Sequence, residues 1–145
     1  MTDPSTGAAP APRRMQLRGI HHVTMICADL QRTRAFYRDL LGLGVVREGD
    51  NDDDPGAQHV WFGDAGGSPG TLVTFLEYPQ MDEGRVGRGS THHLAFHVSS
   101  REELDAWREY LVGAGVPCSD ALERSGLRSV YFRDPDGHLL EIAAA

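Results

Sequence analysis

The sequence has no lysine. Its 14 cationic residues are all arginine, and 21 Asp and Glu outnumber them to leave a formal charge of −7 and a pI near 5.4. A nucleic-acid partner calls for a basic stripe, so this balance argues against one. Cysteine is scarce: Cys27 and Cys118 form no close-spaced pair and no disulfide framework, which points to a reducing compartment. No apolar run approaches the roughly 20 residues of a membrane-spanning helix, and no segment reads as a signal peptide. The expectation is a cytoplasmic protein without a membrane partner. At 145 residues, 40% hydrophobic and 24% charged, the chain can bury an ordinary core without metal or disulfides.

What the chain does have is a repeat. The stretch Gly19-Ile20-His21-His22-Val23-Thr24 returns as Thr91-His92-His93-Leu94-Ala95, two adjacent histidines at the head of a β-type apolar run. The offset of 71 residues from His22 to His93 also pairs Phe36 with Trp107, Leu40 with Leu111, Gly42 with Gly113 and Val45 with Val116. An offset of 70 pairs Trp61-Phe62 with Tyr131-Phe132, and one of 67 pairs Leu72-Val73-Thr74-Phe75 with Leu139-Leu140-Glu141-Ile142. The lost residues fall in loops, where length changes are tolerated. A duplicated unit accounts for the whole pattern.

Each unit reads as βαβββ. The first begins with a strand over residues 17–27, then a helix capped by Asp29 whose Leu30, Thr33, Phe36, Tyr37, Leu40 and Leu41 recur at helical spacing. Residues 51–56 read as a polar acidic loop between extended segments near 45 and 59, and a last strand covers 71–77. The second unit has strands near 91–98, 116–119, 129–133 and 138–143, with a helix opened by Ser99 or Ser100. The expected fold is α+β, two tandem βαβββ modules in a curled mixed sheet. Residues 1–16 are expected to be a disordered tail, with Met15 as an alternative start. Residues 17–145 form one domain: module one 17–78, linker 79–90, module two 91–145.

The chemistry-bearing residues sit at equivalent repeat positions. Along a strand alternate residues share a face, so His93, Ala95 and His97 point one way, as do His22, Thr24 and Ile26. Glu141 interrupts an apolar strand, and a carboxylate rarely sits there without a partner. The bland alternative is an edge strand with Glu141 facing water. A histidine from each pair together with Glu141 makes a two-imidazole, one-carboxylate set with open positions, which suits Fe(II) and could also hold Mn(II), Zn(II) or Ni(II). Thr74 stands at the repeat equivalent of Glu141, so the expected site has three protein ligands rather than four.

These residues resemble the vicinal oxygen chelate superfamily, which includes glyoxalases, bleomycin-resistance proteins and extradiol dioxygenases. The resemblance is carried by His22-Val23-Thr24, Phe36-Tyr37-Arg38-Asp39-Leu40-Leu41-Gly42, His93-Leu94-Ala95-Phe96 and Asp134-Pro135-Asp136-Gly137-His138-Leu139-Leu140-Glu141. It implies modules cupping a divalent metal held by His22, His93 and Glu141, rather than by His21 and His92. The stretch from Asp53 to Thr71 is similar to the first half of dioxygenases that cleave hydroquinone- or catechol-like rings, proteins about twice this length. A homodimer is also implied, with the site either within one chain or shared between two.

On that resemblance the expected function is Fe(II)-dependent ring cleavage of a small dihydroxy-aromatic substrate. His97, facing the same side as His93, is the first candidate base, and His59 and Tyr131 are second choices as proton carriers. His138 reads as structural, and Arg85 and Arg88 as solvated loop charge. The alternatives are a glyoxalase-type lyase or isomerase, against which Thr74 counts, a thiol transferase acting on an epoxide antibiotic, and a non-catalytic drug-binding resistance protein.

Overall fold

The computed structural model describes residues 14–145 together with Gly7 and Ala9, so most of the expected tail over 1–16 lies outside the described residues. Module one runs β1 (His22–Cys27), α1 (Leu30–Arg34), a π-helical continuation (Ala35–Leu40), β2 (Gly44–Asn51), β3 (Asp54–Gly63) and β4 (Leu72–Glu77). Module two runs β5 (Leu94–His97), α2 (Arg101–Gly113), β6 (Leu122–Arg124), β7 (Leu127–Arg133) and β8 (Leu139–Ala144). Each module closes its own four-stranded mixed sheet, ordered β1-β4-β3-β2 and β5-β8-β7-β6. The first pair of each is parallel and the others antiparallel. The two tandem βαβββ modules expected from the repeat are present.

Alternation decides what each sheet buries. In β1 and β5 the residues His22, Thr24, Ile26, Ala95 and His97 are exposed, as is His93 just before β5, while their neighbours turn inward. The inward residues join one core spanning both modules, including Tyr37, Phe62 and Phe75 of the first and Leu104, Val130, Phe132 and Ile142 of the second. Asp29 caps α1 by accepting from the backbone N–H groups of Gln31 and Arg32, and Ser100 caps α2 through the N–H of Glu103. At the π-helical turn the Leu41 N–H reaches the Phe36 carbonyl at 2.9 Å. The Tyr37 ring there is wholly buried against Phe75.

The modules are fastened by the Asp134–Gly137 turn. The Tyr37 hydroxyl donates to the buried Asp134 carboxylate at 2.8 Å. Asp136 accepts from the Ala28 N–H at 3.0 Å and from Arg32 at 2.9 Å. His138 donates through Nε2 to the Ile26 carbonyl at 2.8 Å, which places this histidine in the structural role expected of it. The turn therefore grips the end of the strand that carries His22.

Several boundaries differ from the sequence expectation. β1 starts at His22 instead of residue 17, because its parallel partner β4 begins opposite it at Leu72. For the same reason β5 starts at Leu94, which leaves His93 one residue ahead of the strand. The acidic segment 51–56 is not a loop: β2 and β3 run through it to a two-residue turn at Asp52-Asp53. Tyr78 holds that hairpin by donating to Asp54 at 2.8 Å and accepting from Asn51 at 3.1 Å. Residues 116–119 contribute only an isolated Cys118–Phe132 bridge, since Pro117 has no N–H to extend a ladder. The outer strand of module two is β6, turned by Ser125 and Gly126, both at positive φ.

Candidate metal and substrate site

Glu141 lies in β8, an interior strand between β5 and β7, so the edge-strand alternative does not apply. Ala95 and Tyr131 are its register partners. The side chain is nearly buried, and both carboxylate oxygens are engaged. Oε1 is 3.0 Å from His93 Nε2, and Oε2 accepts from the wholly buried Ser129 hydroxyl at 2.6 Å. The other ring nitrogen of His93 lies 2.8 Å from His92 Nδ1, a contact that needs one protonated and one bare nitrogen. Tyr131 presents its ring edge to His93 at 6.0 Å. Burial and then the Glu141 charge push the Tyr131 hydroxyl above the usual tyrosine range. His97 stands exposed on the same side, two residues beyond Ala95 in β5.

Module one repeats this layout with different groups. Thr74 is the equivalent of Glu141, paired with Thr24 on one side and Trp61 on the other. Although it belongs to the open face, Thr74 is fully buried. Its Oγ1 lies 2.7 Å from Thr24 Oγ1 and 2.9 Å from His59 Nε2. His59 and Ser129 are 70 residues apart, the offset that relates Trp61 to Tyr131. The His59–Thr74 hydrogen bond is thus the counterpart of Ser129–Glu141. His22 is oriented as His93 is, with Nδ1 2.9 Å from His21 Nδ1, and its ring packs on Trp61 at 4.6 Å. Trp61 in turn packs on His59 at 5.2 Å. Burial, then Arg47 and more weakly His22, hold the His59 pKa below its usual value against an opposing pull from Asp52.

The chain brings His93 and Glu141 together, with Tyr131 beside them. It does not bring His22 to them: among the described residues no three His, Cys, Asp or Glu converge as a metal-binding group. The donor chemistry of the two halves nevertheless fits a divalent cation. His93 Nε2 and Glu141 Oε1 lie side by side at 3.0 Å as an imidazole and a carboxylate that would hold it, and His22 keeps Nε2 available. Beside Tyr131 and Leu139 a groove of about 400 Å³ opens, bounded also by Pro117, Ser119 and Arg133. Arg85 and Arg88 lie in the exposed linker.

Three features of this arrangement are not displayed by the sequence itself, although Ser129 carried a usable signal, since it is one repeat away from His59. Trp61 was recognised as a repeat landmark but not as the ring beneath His22. The link from Thr24 to Thr74 depends on strand register, which the sequence does not display.

Residues 19–142 match the Glyoxalase/Bleomycin resistance protein/Dioxygenase superfamily. A Bacillus subtilis protein named "Putative ring-cleaving dioxygenase MhqA" is 34% identical over 130 residues, covering 90% of this chain and 41% of that protein. The chain therefore spans about two fifths of that relative's length. A Bacillus subtilis crystal structure described as a "putative dioxygenase" superposes with a TM-score of 0.81 at 37% identity, over 88% of this chain and 40% of the other. The fosfomycin resistance protein FosX from Listeria monocytogenes, solved with Mn(II) and sulfate, superposes with a TM-score of 0.63 at 27% identity, over 90% of this chain and 94% of FosX. No described helix is long and apolar enough to cross a membrane.

Proposed function

This chain belongs to the glyoxalase/bleomycin resistance/dioxygenase superfamily, and from that footing we propose a metal-dependent dioxygenase that opens the ring of a dihydroxy-aromatic compound. The observation that carries the reading is the Glu141 carboxylate, held on an interior strand by Ser129 and aimed at His93. The ring-cleaving name of a relative at 34% identity supports the reaction class, and the Mn(II) in FosX supports a divalent ion. Fe(II) is the metal proposed, because two imidazoles and a carboxylate leave positions for substrate and dioxygen.

His22, His93 and Glu141 would hold the ion. When bound, it supplies Lewis-acid activation of the substrate hydroxyls and a place for dioxygen. The protein's own groups do the rest. Ser129 and His92 fix the orientation of Glu141 and His93, and His21 fixes His22. The groove beside Tyr131 and Leu139 is the place proposed for the ring. Tyr131 keeps its proton because its pKa is raised, so it serves as a donor to substrate oxygen. His97 stands open on the same face as a base.

The site is assembled between two copies of the chain in this reading. His22 lies on the open face of module one, and His93 with Glu141 on the open face of module two, with no three-residue metal group among the described residues of one chain. A twofold dimer pairs each open face with its complement from the other copy. Two copies also approach the length of MhqA, of which one copy spans 41%.

A second reading is supported by size: the chain covers 94% of FosX, to which it is 27% identical, so a thiol transferase acting on an epoxide antibiotic is the runner-up. Anaerobic loading with Fe(II), followed by oxygen uptake with a panel of catechols and hydroquinones, tests the choice. Stoichiometric oxygen uptake with ring-opened product is the expected result. No uptake with any of them, alongside turnover of an epoxide, would replace the dioxygenase with the second reading.

A further inference from the structure

The hydrogen-bonded line Thr24–Thr74–His59 is not explained by metal binding or by packing. Up to its last residue, Glu77, strand β4 is otherwise apolar, Leu72-Val73-Thr74-Phe75-Leu76, and valine has nearly the same shape as threonine. A fully buried hydroxyl in such a strand is costly unless its hydrogen bonds are satisfied. Here it is satisfied twice, by a hydroxyl at 2.7 Å and an imidazole at 2.9 Å. One end of the line, Thr24, is exposed on the face that carries His22, two residues away. The other end, His59, is half-buried against Trp61.

We propose that Thr24, Thr74 and His59 form a proton relay, which takes a hydroxyl proton from the dihydroxy-aromatic substrate and stores it on His59. The proposal rests on the dioxygenase reading above. The step balances without an oxidant or co-reactant. The substrate O–H bond breaks and its proton bonds to Thr24 Oγ1. The Thr24 proton passes to Thr74 Oγ1, and the Thr74 proton passes to His59 Nε2. Substrate oxyanion and imidazolium are the products, and return of the proton to the ring-opened product resets the line.

The relay needs His59 neutral with Nε2 bare, so that Nδ1 carries the hydrogen. The surroundings favour this form. Burial and then Arg47 on β2 disfavour the imidazolium of His59, and Asp52 in the hairpin turn opposes them only partly. The direct neighbours of His59 in register are Gly49 and Leu76, which carry no charge. Module two uses the same two positions differently, with a serine hydroxyl donating to a carboxylate. Duplication placed a ligand at Glu141 and a proton path at Thr74.

The test uses 4-nitrocatechol, whose dianion absorbs in the visible, added without oxygen to the metal-loaded protein near pH 6.5. The parent should bind it as the dianion. Thr74→Val and His59→Gln should bind metal in the parent's ratio, yet need a pH higher by about one unit or more to form the dianion. Thr74→Ser should restore the parent's behaviour. With a catechol substrate, kcat of Thr74→Val should fall on the order of 100-fold while KM holds within a few-fold. In the metal-free protein, the His59 Nε2 nitrogen resonance should move in Thr74→Val, whatever the enzyme's reaction. Dianion formation at the same pH in parent and Thr74→Val overturns the relay and leaves the dioxygenase reading standing. Failure of the parent to bind 4-nitrocatechol overturns both.

Discussion

The proposal that two chains share each metal site can be tested by mixing two inactive proteins. His22→Ala removes the module-one ligand and leaves His93 and Glu141 at their 3.0 Å approach. Glu141→Ala removes the module-two carboxylate and leaves His22 packed on Trp61. Each homodimer then carries two broken sites. In a mixed dimer, one site loses both residues and the other keeps all three ligands. Random pairing of equal amounts makes about half of the dimers mixed, each with one of its two sites intact, so about a quarter of the parent's sites should return. Co-refolding the two variants, followed by metal titration and oxygen uptake, reads that fraction. A variant refolded alone sets the background, and a mixture with doubly substituted His22→Ala/Glu141→Ala controls for dilution. Recovery no greater than the sum of the separate variants would refute the shared site and place all three ligands within one chain.

Ser129→Ala removes the 2.6 Å donor to Glu141 and should weaken Mn(II) or Fe(II) binding about 10- to 100-fold, measured by chelator competition; a change under about twofold would mean that Ser129 does not orient the carboxylate. Tyr37→Phe strips the buried Asp134 of its hydroxyl donor and should cost about 1.5–3 kcal/mol in urea unfolding. The corresponding fall in Tm is about 3–12 °C for a domain of this size. The same variant carries a pH signature. Burial and Asp134 raise the Tyr37 pKa, so the folded protein keeps a proton that the unfolded chain loses, and the parent's stability should decline as pH rises beyond about 10. Tyr37→Phe should lack that component; an unchanged alkaline limb would assign it to other groups.

The repeat was legible because it is written in residue types with fixed spacing, and alternation along β1 and β5 correctly separated the faces of His22 and His93 from the core. What the sequence hid is set between elements. Strand ends depend on where the parallel partner begins, which moved the start of β1 to His22 and left His93 outside β5. Polar composition suggested a loop at 51–56, but an exposed hairpin needs no apolar residues, only a turn and cross-strand hydrogen bonds. Whether His22 joins His93 is a question of how modules pack, and no local pattern encodes it. Alternation along β5 puts His97 on the open face, whereas the hydrogen-bonded positions around Glu141 and Thr74 depend on the register.

That register explains how one duplicated layout supports two tasks. In module two the central position is a carboxylate, fed by a hydroxyl from β7 and facing a histidine at the head of β5. In module one it is a hydroxyl, joined to an imidazole from β3 and to a second hydroxyl from β1. With a carboxylate at position 74 as well, a bound ion would meet four protein ligands and lose a position for substrate or dioxygen. A threonine frees that position and gives the neighbouring histidine a path to it. On the proposed function, the difference between Glu141 and Thr74 is therefore what would fit the pair of modules to chemistry that needs an open metal and a nearby base.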